Sequence, residues 1–187
     1  MKLILLRHTA VAVPKGTIYG QADVALADSV EADLAKVHDS LADHCSSIYS
    51  SPLSRCRQLA ESLASRYGVQ PIWDARLMEM NFGDWENKRW HEIPQQQAKY
   101  WGQNWQTEPA PAGESFVDVF TRINGFQQDC LHHGEEETIM VVSHSGPLRC
   151  LCLQIHPEYQ QWPRSKAFQI PLEYGGIIAF QFDRFEV

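Results

Sequence analysis

LILLRH, residues 3–8, and IMVVSH, residues 139–144, share one pattern: four apolar residues lead into a polar residue and then a histidine. Continuously apolar runs this short are typical of strands that are buried on both faces of a parallel sheet. In such a sheet, side chains that follow the strand ends collect at one edge, where helix N-termini favour anions. We therefore expect His8 and His144 to face each other across one pocket.

The rest of the chain alternates between strand and helix patterns. Strands are predicted at 46–51, 69–73 and 175–182, and helices at 27–44, 51–68, 114–134 and 146–156. This alternation indicates an α/β fold, a three-layer sandwich in which helices flank a largely parallel central sheet. The length suits a single domain over residues 1–187. Residues 81–113 are rich in Trp, Gln and Pro and only weakly periodic, and they are predicted to form an inserted lid.

Composition and charge exclude several classes of function. The formal net charge is −7 and the pI is about 5.6, whereas a nucleic-acid or anionic-membrane binder needs a basic face. The apolar run at the N-terminus is too short for a signal peptide, and no apolar run is long enough to span a membrane. Five cysteines without a CxxC pair favour reduced, mostly buried thiols. We therefore expect a cytoplasmic protein.

Two strand-end histidines, one of them next to an arginine, point to phosphoryl chemistry. A neutral imidazole such as that of His8 is a competent nucleophile towards phosphorus. The phosphoryl oxygens then need positive charge, and a guanidinium binds two oxygens at once and stays charged. Arg7 is one such group. Arg55, in the first turn of the predicted helix at 51–68, is a second, although this position equally suits a solvated helix face.

The leaving alkoxide needs a proton donor, and two carboxylates near the start of the lid are candidates. Glu79 lies in RLMEMNFGDWE, residues 76–86, after an apolar pair and before a Phe-Gly turn, and it is our choice. Glu86 in the same stretch fits equally well by sequence alone. A metal site is not expected, because the histidine pairs lack ligand spacing: His132 with His133, and His38 with His44.

Five segments, in this order along the chain, resemble the motifs of the histidine phosphatase superfamily, the phosphoglycerate mutase-like proteins. They are LLRHT at 5–9, SSPLSRCRQLAE at 50–61, LMEMNFGDWEN at 77–87, PAGES at 111–115 and VVSHSGPLR at 141–149. Together they are spread over most of the chain, and five motifs in the right order are highly specific. The resemblance implies a phosphoryl-transfer enzyme that uses neither a metal nor another cofactor.

The resemblance also implies a role for each matching residue. His8 is the phosphorylated nucleophile, Glu79 is the acid and base, and His144 steadies the transferring group. Phosphate is bound by Arg7, Arg55, His144 and the backbone of Ser145.

Three positions depart from the family pattern. Thr9 replaces the usual glycine after the nucleophile, so the backbone conformation there is expected to differ. Pro14 stands where many members carry an asparagine that contacts phosphate, and Gln21 is the candidate phosphate-binding residue in its place. Ser145 takes a place that is often Gly or Ala. These departures bear on the substrate rather than on the type of reaction.

A shorter match points to a substrate. YGQADVAL, residues 19–26, resembles the corresponding stretch of α-ribazole-5'-phosphate phosphatases, which serve cobalamin nucleotide-loop assembly. The function this implies is a metal-independent phosphomonoesterase that removes the 5'-phosphate of α-ribazole phosphate through a phosphohistidine. The implied partner is a small phosphorylated metabolite, with no nucleic acid and no membrane, and a homodimer is left open.

Three alternatives stay open: a broad-specificity phosphatase, a phosphoglycerate-mutase-type phosphotransferase, and a non-catalytic domain that binds a phospho-ligand. The lid tryptophans also have two interpretations. Their rings could stack on a planar base of the substrate, or they could pack the lid or a dimer face. The residues concerned are Trp85, Trp90, Trp101 and Trp105.

Overall fold

The computed structural model describes residues 1–41, 43–131 and 137–181. The strands are β1 Lys2–Arg7, β2 Ser47–Ser50, β3 Pro71–Trp73, β4 Thr138–Ser143 and β5 Ile177–Gln181. The helices are α1 Val30–Asp39, α2 Ser54–Tyr67, α3 Gln95–Asn104, α4 Phe116–Cys130 and α5 Ser145–Ile155. Parts of three predicted elements lie outside the described residues: Ala42, residues 132–134 with His132 and His133, and Phe182.

The five strands form one sheet in the order β3-β2-β4-β1-β5. β1 to β4 run parallel to one another, and β5 is antiparallel to its neighbour β1. The register pairs Arg7 with Ser143, so that His8 and His144 follow neighbouring strand ends at the same edge. The predicted α/β fold with a largely parallel sheet is therefore confirmed.

Helices cover both faces of the sheet, which explains why the strand sequences are continuously apolar. Leu3 and Leu5 of β1 point into a core that α4 and α5 complete. Ile4 and Leu6 point to the opposite face, where α1 and α2 supply the partners. Successive side chains of a strand alternate between faces, so a strand between two helix layers needs an apolar residue at every position.

The segment predicted as a lid contains one α-helix, α3, that its weak periodicity did not predict. No residue of α3 is fully buried, and only Ala98 and Trp101 pack on a core, so its apolar stripe is too short for a sequence pattern to reveal. A small core lies beneath it, formed by Ile18, Trp85, Ile93 and Ala110.

The four lid tryptophans are packed against other rings of the protein. Trp90 and Trp101 have ring centroids 5.5 Å apart, and each also contacts Trp85. Trp105 packs edge-on against Phe116 at 4.9 Å. This arrangement favours the interpretation in which the tryptophans pack the lid over the one in which they stack on a substrate base.

Within the described residues, no helix combines the length and the apolar character needed to cross a membrane. The cysteines are free thiols, as the sequence predicts. Four of them are buried and Cys130 is half-buried.

Candidate active site

His8 sits directly after β1 and is held by its own backbone. Its N–H donates to Ser143 O at 3.0 Å, and its carbonyl accepts from Gly175 N at 3.0 Å. Its ring Nδ1 lies 2.8 Å from Thr9 O. A carbonyl only accepts hydrogen bonds, so Nδ1 carries the proton of the neutral ring and Nε2 keeps a free lone pair.

The surroundings keep the His8 imidazole neutral. Burial lowers the pKa of His8 to about 3, and the charges of Arg55 and Arg7 act in the same direction. The ring is therefore in its nucleophilic form across the physiological range. Thr9 adds no backbone strain here, since the described non-glycine residues with positive φ are Asn87 and Ala112.

Arg7, directly before His8, carries a buried donor that the described residues leave without a partner. Its Nη1 donates to Leu172 O at 2.7 Å, whereas its Nε is buried with no hydrogen-bond partner among the described residues. A buried donor without a partner is costly, and an oxygen of a bound anion would satisfy it.

Arg55 is fully buried at the start of α2, so the solvated helix face that the sequence left open is wrong. Its Nη1 and Nη2 donate to Ala22 O at 2.9 Å and Gly20 O at 2.5 Å. Within the described part of the chain, neither Arg55 nor Arg7 has a carboxylate at ion-pair distance. The pocket therefore carries two positive charges without an acidic partner in the described ranges, which suits a dianionic phosphoryl group.

His144 is completely buried, with its ring centroid 5.1 Å from that of His8. Arg55 Nε donates to its Nδ1 at 3.2 Å, and its Nε2 lies 2.8 Å from Ser51 Oγ. Because a guanidinium only donates, Nδ1 is the acceptor and the ring proton sits on Nε2. Burial, followed by the charges of His8 and Arg55, lowers the pKa of His144. The ring is therefore neutral and held in one orientation.

The structure separates the two candidate carboxylates. Gly146 N donates to both oxygens of Glu79 at 3.2 and 3.3 Å, which places this carboxyl group at the N-terminus of α5. Glu86 Oε1 instead accepts from Gln21 N at 2.7 Å and from Phe82 N at 3.1 Å. Glu79 thus lies at the first turn of α5, directly after His144, whereas Glu86 connects the loops of Gln21 and Phe82.

The remaining predicted residues have protein partners of their own. Gln21 Nε2 donates to Glu79 O at 3.0 Å, so this amide supports the backbone of the acid. Ser145 Oγ accepts from Arg149, whose Nε donates to Ile170 O at 3.1 Å. Phosphate binding by Gln21 and by the Ser145 backbone stays a prediction. Across the described residues, no group of three or more His, Cys, Asp or Glu side chains could hold a metal ion.

Sequence reasoning missed two tyrosines of the site. Tyr19 and Tyr174 have hydroxyl oxygens 2.7 Å apart, although they are far apart in sequence. The Tyr174 ring lies 5.4 Å from that of His8 and 4.0 Å from the guanidinium carbon of Arg7. The available signal was that Tyr174 directly precedes the glycine turn before β5, the strand that pairs with β1.

A family model described as "Histidine phosphatase superfamily (branch 1)" matches residues 3–186. Phosphoserine phosphatase 1 of Hydrogenobacter thermophilus is 29% identical over 157 residues, which are 81% of this chain and 74% of that protein. A protein of Escherichia coli O1:K1 / APEC named "Probable phosphoglycerate mutase GpmB" is 30% identical over 112 residues, which are 56% of this chain and 50% of that protein.

A solved structure shares the fold. The alpha-ribazole phosphatase from Shigella flexneri superposes with a TM-score of 0.82 over 96% of this chain and 89% of that one. The two sequences are 24% identical, so this likeness concerns the architecture.

Proposed function

The chain belongs to the histidine phosphatase superfamily (branch 1), and from this premise we propose that it is a metal-independent phosphomonoesterase that acts through a phosphohistidine on His8. One observation carries the proposal: the lone pair of His8 Nε2 is free on a neutral ring, next to two guanidinium groups that no carboxylate of the described residues pairs with. A nucleophile, a cationic phosphate pocket and a carboxyl group in one place are what such a reaction requires.

In the first step, His8 Nε2 attacks phosphorus in line with the ester oxygen. The N–P bond forms, the P–O bond to the alcohol breaks, and Glu79 gives its proton to the departing oxygen. The Nδ1 proton stays on its bond to Thr9 O, which stabilises the positive charge that develops on the ring. Arg7 and Arg55 hold the phosphoryl oxygens during the transfer.

In the second step, water replaces the imidazole. The Glu79 carboxylate takes a proton from the water as its oxygen attacks phosphorus, the P–N bond breaks, and inorganic phosphate leaves. His8 recovers its lone pair and Glu79 recovers its proton, so the enzyme returns to its starting state. No further reactant is needed.

The proposed substrate is α-ribazole 5'-phosphate, in the assembly of the cobalamin nucleotide loop. The support is the resemblance of YGQADVAL, residues 19–26, to phosphatases of this group, together with the shared fold of the Shigella flexneri protein. The proposal includes a cytoplasmic location and a small phosphorylated metabolite as partner, with neither nucleic acid nor membrane, and it is compatible with a homodimer.

The mechanism is tested with an aryl phosphate in the presence of a chelator. We expect full activity with the chelator and a loss of at least about 10³-fold of that activity in His8→Ala. We also expect mass spectrometry to detect an acid-labile phosphoryl group on His8. His91→Ala, which alters an exposed histidine of the lid, is the control. Activity that the chelator abolishes, or full activity in His8→Ala, would contradict the phosphohistidine mechanism.

The substrate is tested by kcat/KM for α-ribazole 5'-phosphate, phosphoserine and 3-phosphoglycerate. A preference for either acid over the nucleoside phosphate would overturn the ribazole assignment and leave the phosphatase proposal in place.

The relative named as a mutase favours one second candidate, a phosphotransferase between hydroxyls of a sugar acid. With 3-phosphoglycerate, that candidate predicts 2-phosphoglycerate as product, whereas a phosphatase releases glycerate and phosphate.

A further inference from the structure

The proposed nucleophile is shut off from solvent in this conformation. His8 is 1% exposed, and Arg55 and His144 are 0% exposed. A phosphoryl group has to reach His8 Nε2, so a group that covers the ring must move first. The ring has neighbouring rings at two sides, His144 at 5.1 Å and Tyr174 at 5.4 Å between centroids.

His144 is not the part that moves. Both of its ring nitrogens are hydrogen-bonded, one to Ser51 and the other to Arg55, and it lies between a central strand and α5. Its displacement would leave buried polar groups without partners, which is costly.

Tyr174 is free to move, because it lies at the surface and is 42% exposed. Its hydroxyl is bonded to that of Tyr19, while the backbone after it is anchored: Gly175 N donates to His8 O, and Gly176 O accepts from Arg7 N. The side chain can therefore rotate while the loop stays in place. Rotamer changes of exposed side chains are fast compared with enzyme turnover.

The two rings also cover the two cations. Tyr174 lies over Arg7 at 4.0 Å, and Tyr19 lies over Arg55 at 5.1 Å, from guanidinium carbon to ring centroid. The hydrogen-bonded pair thus crosses the pocket from one guanidinium to the other. An incoming phosphoryl dianion competes for both guanidiniums, and charge-assisted bonds to phosphate are stronger than contacts between a cation and a ring.

We propose that Tyr19 and Tyr174 form a gate over His8: their hydroxyls separate when a phosphoryl group enters, and the rings then line the entrance and contact the organic part of the ester. This inference rests on the proposed function, because it takes His8 as the nucleophile. It transfers the aromatic contact with the substrate from the lid tryptophans, which pack on one another, to two tyrosines that are already in the site.

The gate is tested first without turnover. Diethyl pyrocarbonate modifies neutral histidines, and mass spectrometry gives the rate at each one. Tyr174→Phe and Tyr19→Phe keep the rings but remove the bond between the hydroxyls, so we expect His8 to react about fivefold faster, the factor that one neutral hydrogen bond corresponds to. Tyr100→Phe, at a 57% exposed tyrosine of α3, is the matched control and should leave the rate unchanged.

Two results of this experiment would overturn the gate. One is an unchanged rate at His8 in both phenylalanine variants. The other is an equal rise at His38, which lies on α1 and would report a general loosening of the fold. The reagent needs no catalysis, so a protein without phosphatase activity but with faster His8 modification would refute the proposed function and keep the gate.

The contact with the ester is tested by kinetics. Tyr174→Ala removes the ring, and we expect KM for p-nitrophenyl phosphate to rise about three- to tenfold more than KM for glycerol phosphate. Tyr100→Ala is the control and should change neither of the two KM values. An equal rise in KM for both esters would show that the ring does not contact the organic part of the substrate.

Discussion

At the scale of single residues, hydrogen-bond partners decide which side chains can take part in the chemistry. Glu79 and Glu86 are the same residue type in one motif, seven positions apart. Glu79 accepts from Gly146 N in the first turn of α5 and from Met80 N, whereas Glu86 accepts from Gln21 N and Phe82 N. The carboxyl group at the helix that begins directly after His144 is therefore the one we assign to proton exchange with the substrate.

Glu79→Gln keeps this acceptor position but removes the proton. For glycerol phosphate, whose leaving alkoxide needs an acid, kcat should fall by about 10²- to 10⁴-fold. For p-nitrophenyl phosphate, whose leaving group needs none, stopped-flow absorbance should show a burst of nitrophenol and then slow turnover, because water attack still needs the base. Glu86→Gln is the matched control, and a larger loss of kcat there than in Glu79→Gln would refute the assignment.

At the scale of elements, the site is made where β1, β4 and α5 meet. The parallel register of β1 and β4 places the two histidines side by side, and the first turn of α5 receives the Glu79 carboxyl group. Gly146 permits this close approach, because a Cβ there would collide with Glu79 Oε1. A glycine in a helix costs stability, and at this position it keeps room for the acid.

Gly146→Ala should therefore displace the Glu79 carboxyl group. We expect kcat/KM for an alkyl phosphate to fall by about 10- to 100-fold, since a small misplacement of a catalytic group has effects of this size. Gly125→Ala, in α4, is the control: the nearest neighbour of its Cβ is Arg76 Nη1 at an ordinary 3.8 Å. That variant should raise the free energy of unfolding by about 0.5–1 kcal/mol without changing activity. Full activity in Gly146→Ala would contradict this account.

At the scale of the whole molecule, an acidic chain concentrates positive charge and buried imidazoles in one place. The formal net charge is −7, yet Arg7 and Arg55 meet at the same pocket as two buried histidines. Burial and these cations hold the pKa of His8 at about 3 and lower that of His144. Folding therefore keeps both rings neutral at pH values below 6.5, at which the same histidines of an unfolded chain would be protonated.

This predicts a stability that falls in acid. The unfolded chain binds a proton at His8 below pH 6.5, the ordinary pKa, and the folded chain does not until about 3. The stabilisation is therefore present above pH 6.5 and is lost as the pH falls towards 3, by about 1.4 kcal/mol per pH unit for this one group. Urea unfolding between pH 4.5 and 7 should show a slope that His8→Gln reduces by this amount. His91→Gln is the control, and an unchanged slope in His8→Gln would contradict the prediction.

Much of the architecture and half of the site could be predicted from hydrophobic patterns in the sequence. The strand-end histidines and the α/β fold followed from LILLRH and IMVVSH, because apolar runs that end in polar chemistry are local signals. The burial of Arg55, the choice of Glu79 over Glu86 and the two tyrosines could not be predicted in the same way. Each depends on which loop lies opposite, and helix α3 was missed because only Ala98 and Trp101 of it pack on a core.

The sequence by itself determined the type of sheet, the edge at which the chemistry lies and the residues at its strand ends, since these follow from hydrophobic periodicity within short segments. Only the tertiary structure decided the protonation state of His8, the partners of its neighbours and the closure by Tyr19 and Tyr174. Those properties arise from burial and from contacts between segments far apart in the chain, such as the 2.7 Å bond between the tyrosine hydroxyls. A local sequence pattern does not specify such contacts, because they form only once the whole sheet and its loops have assembled.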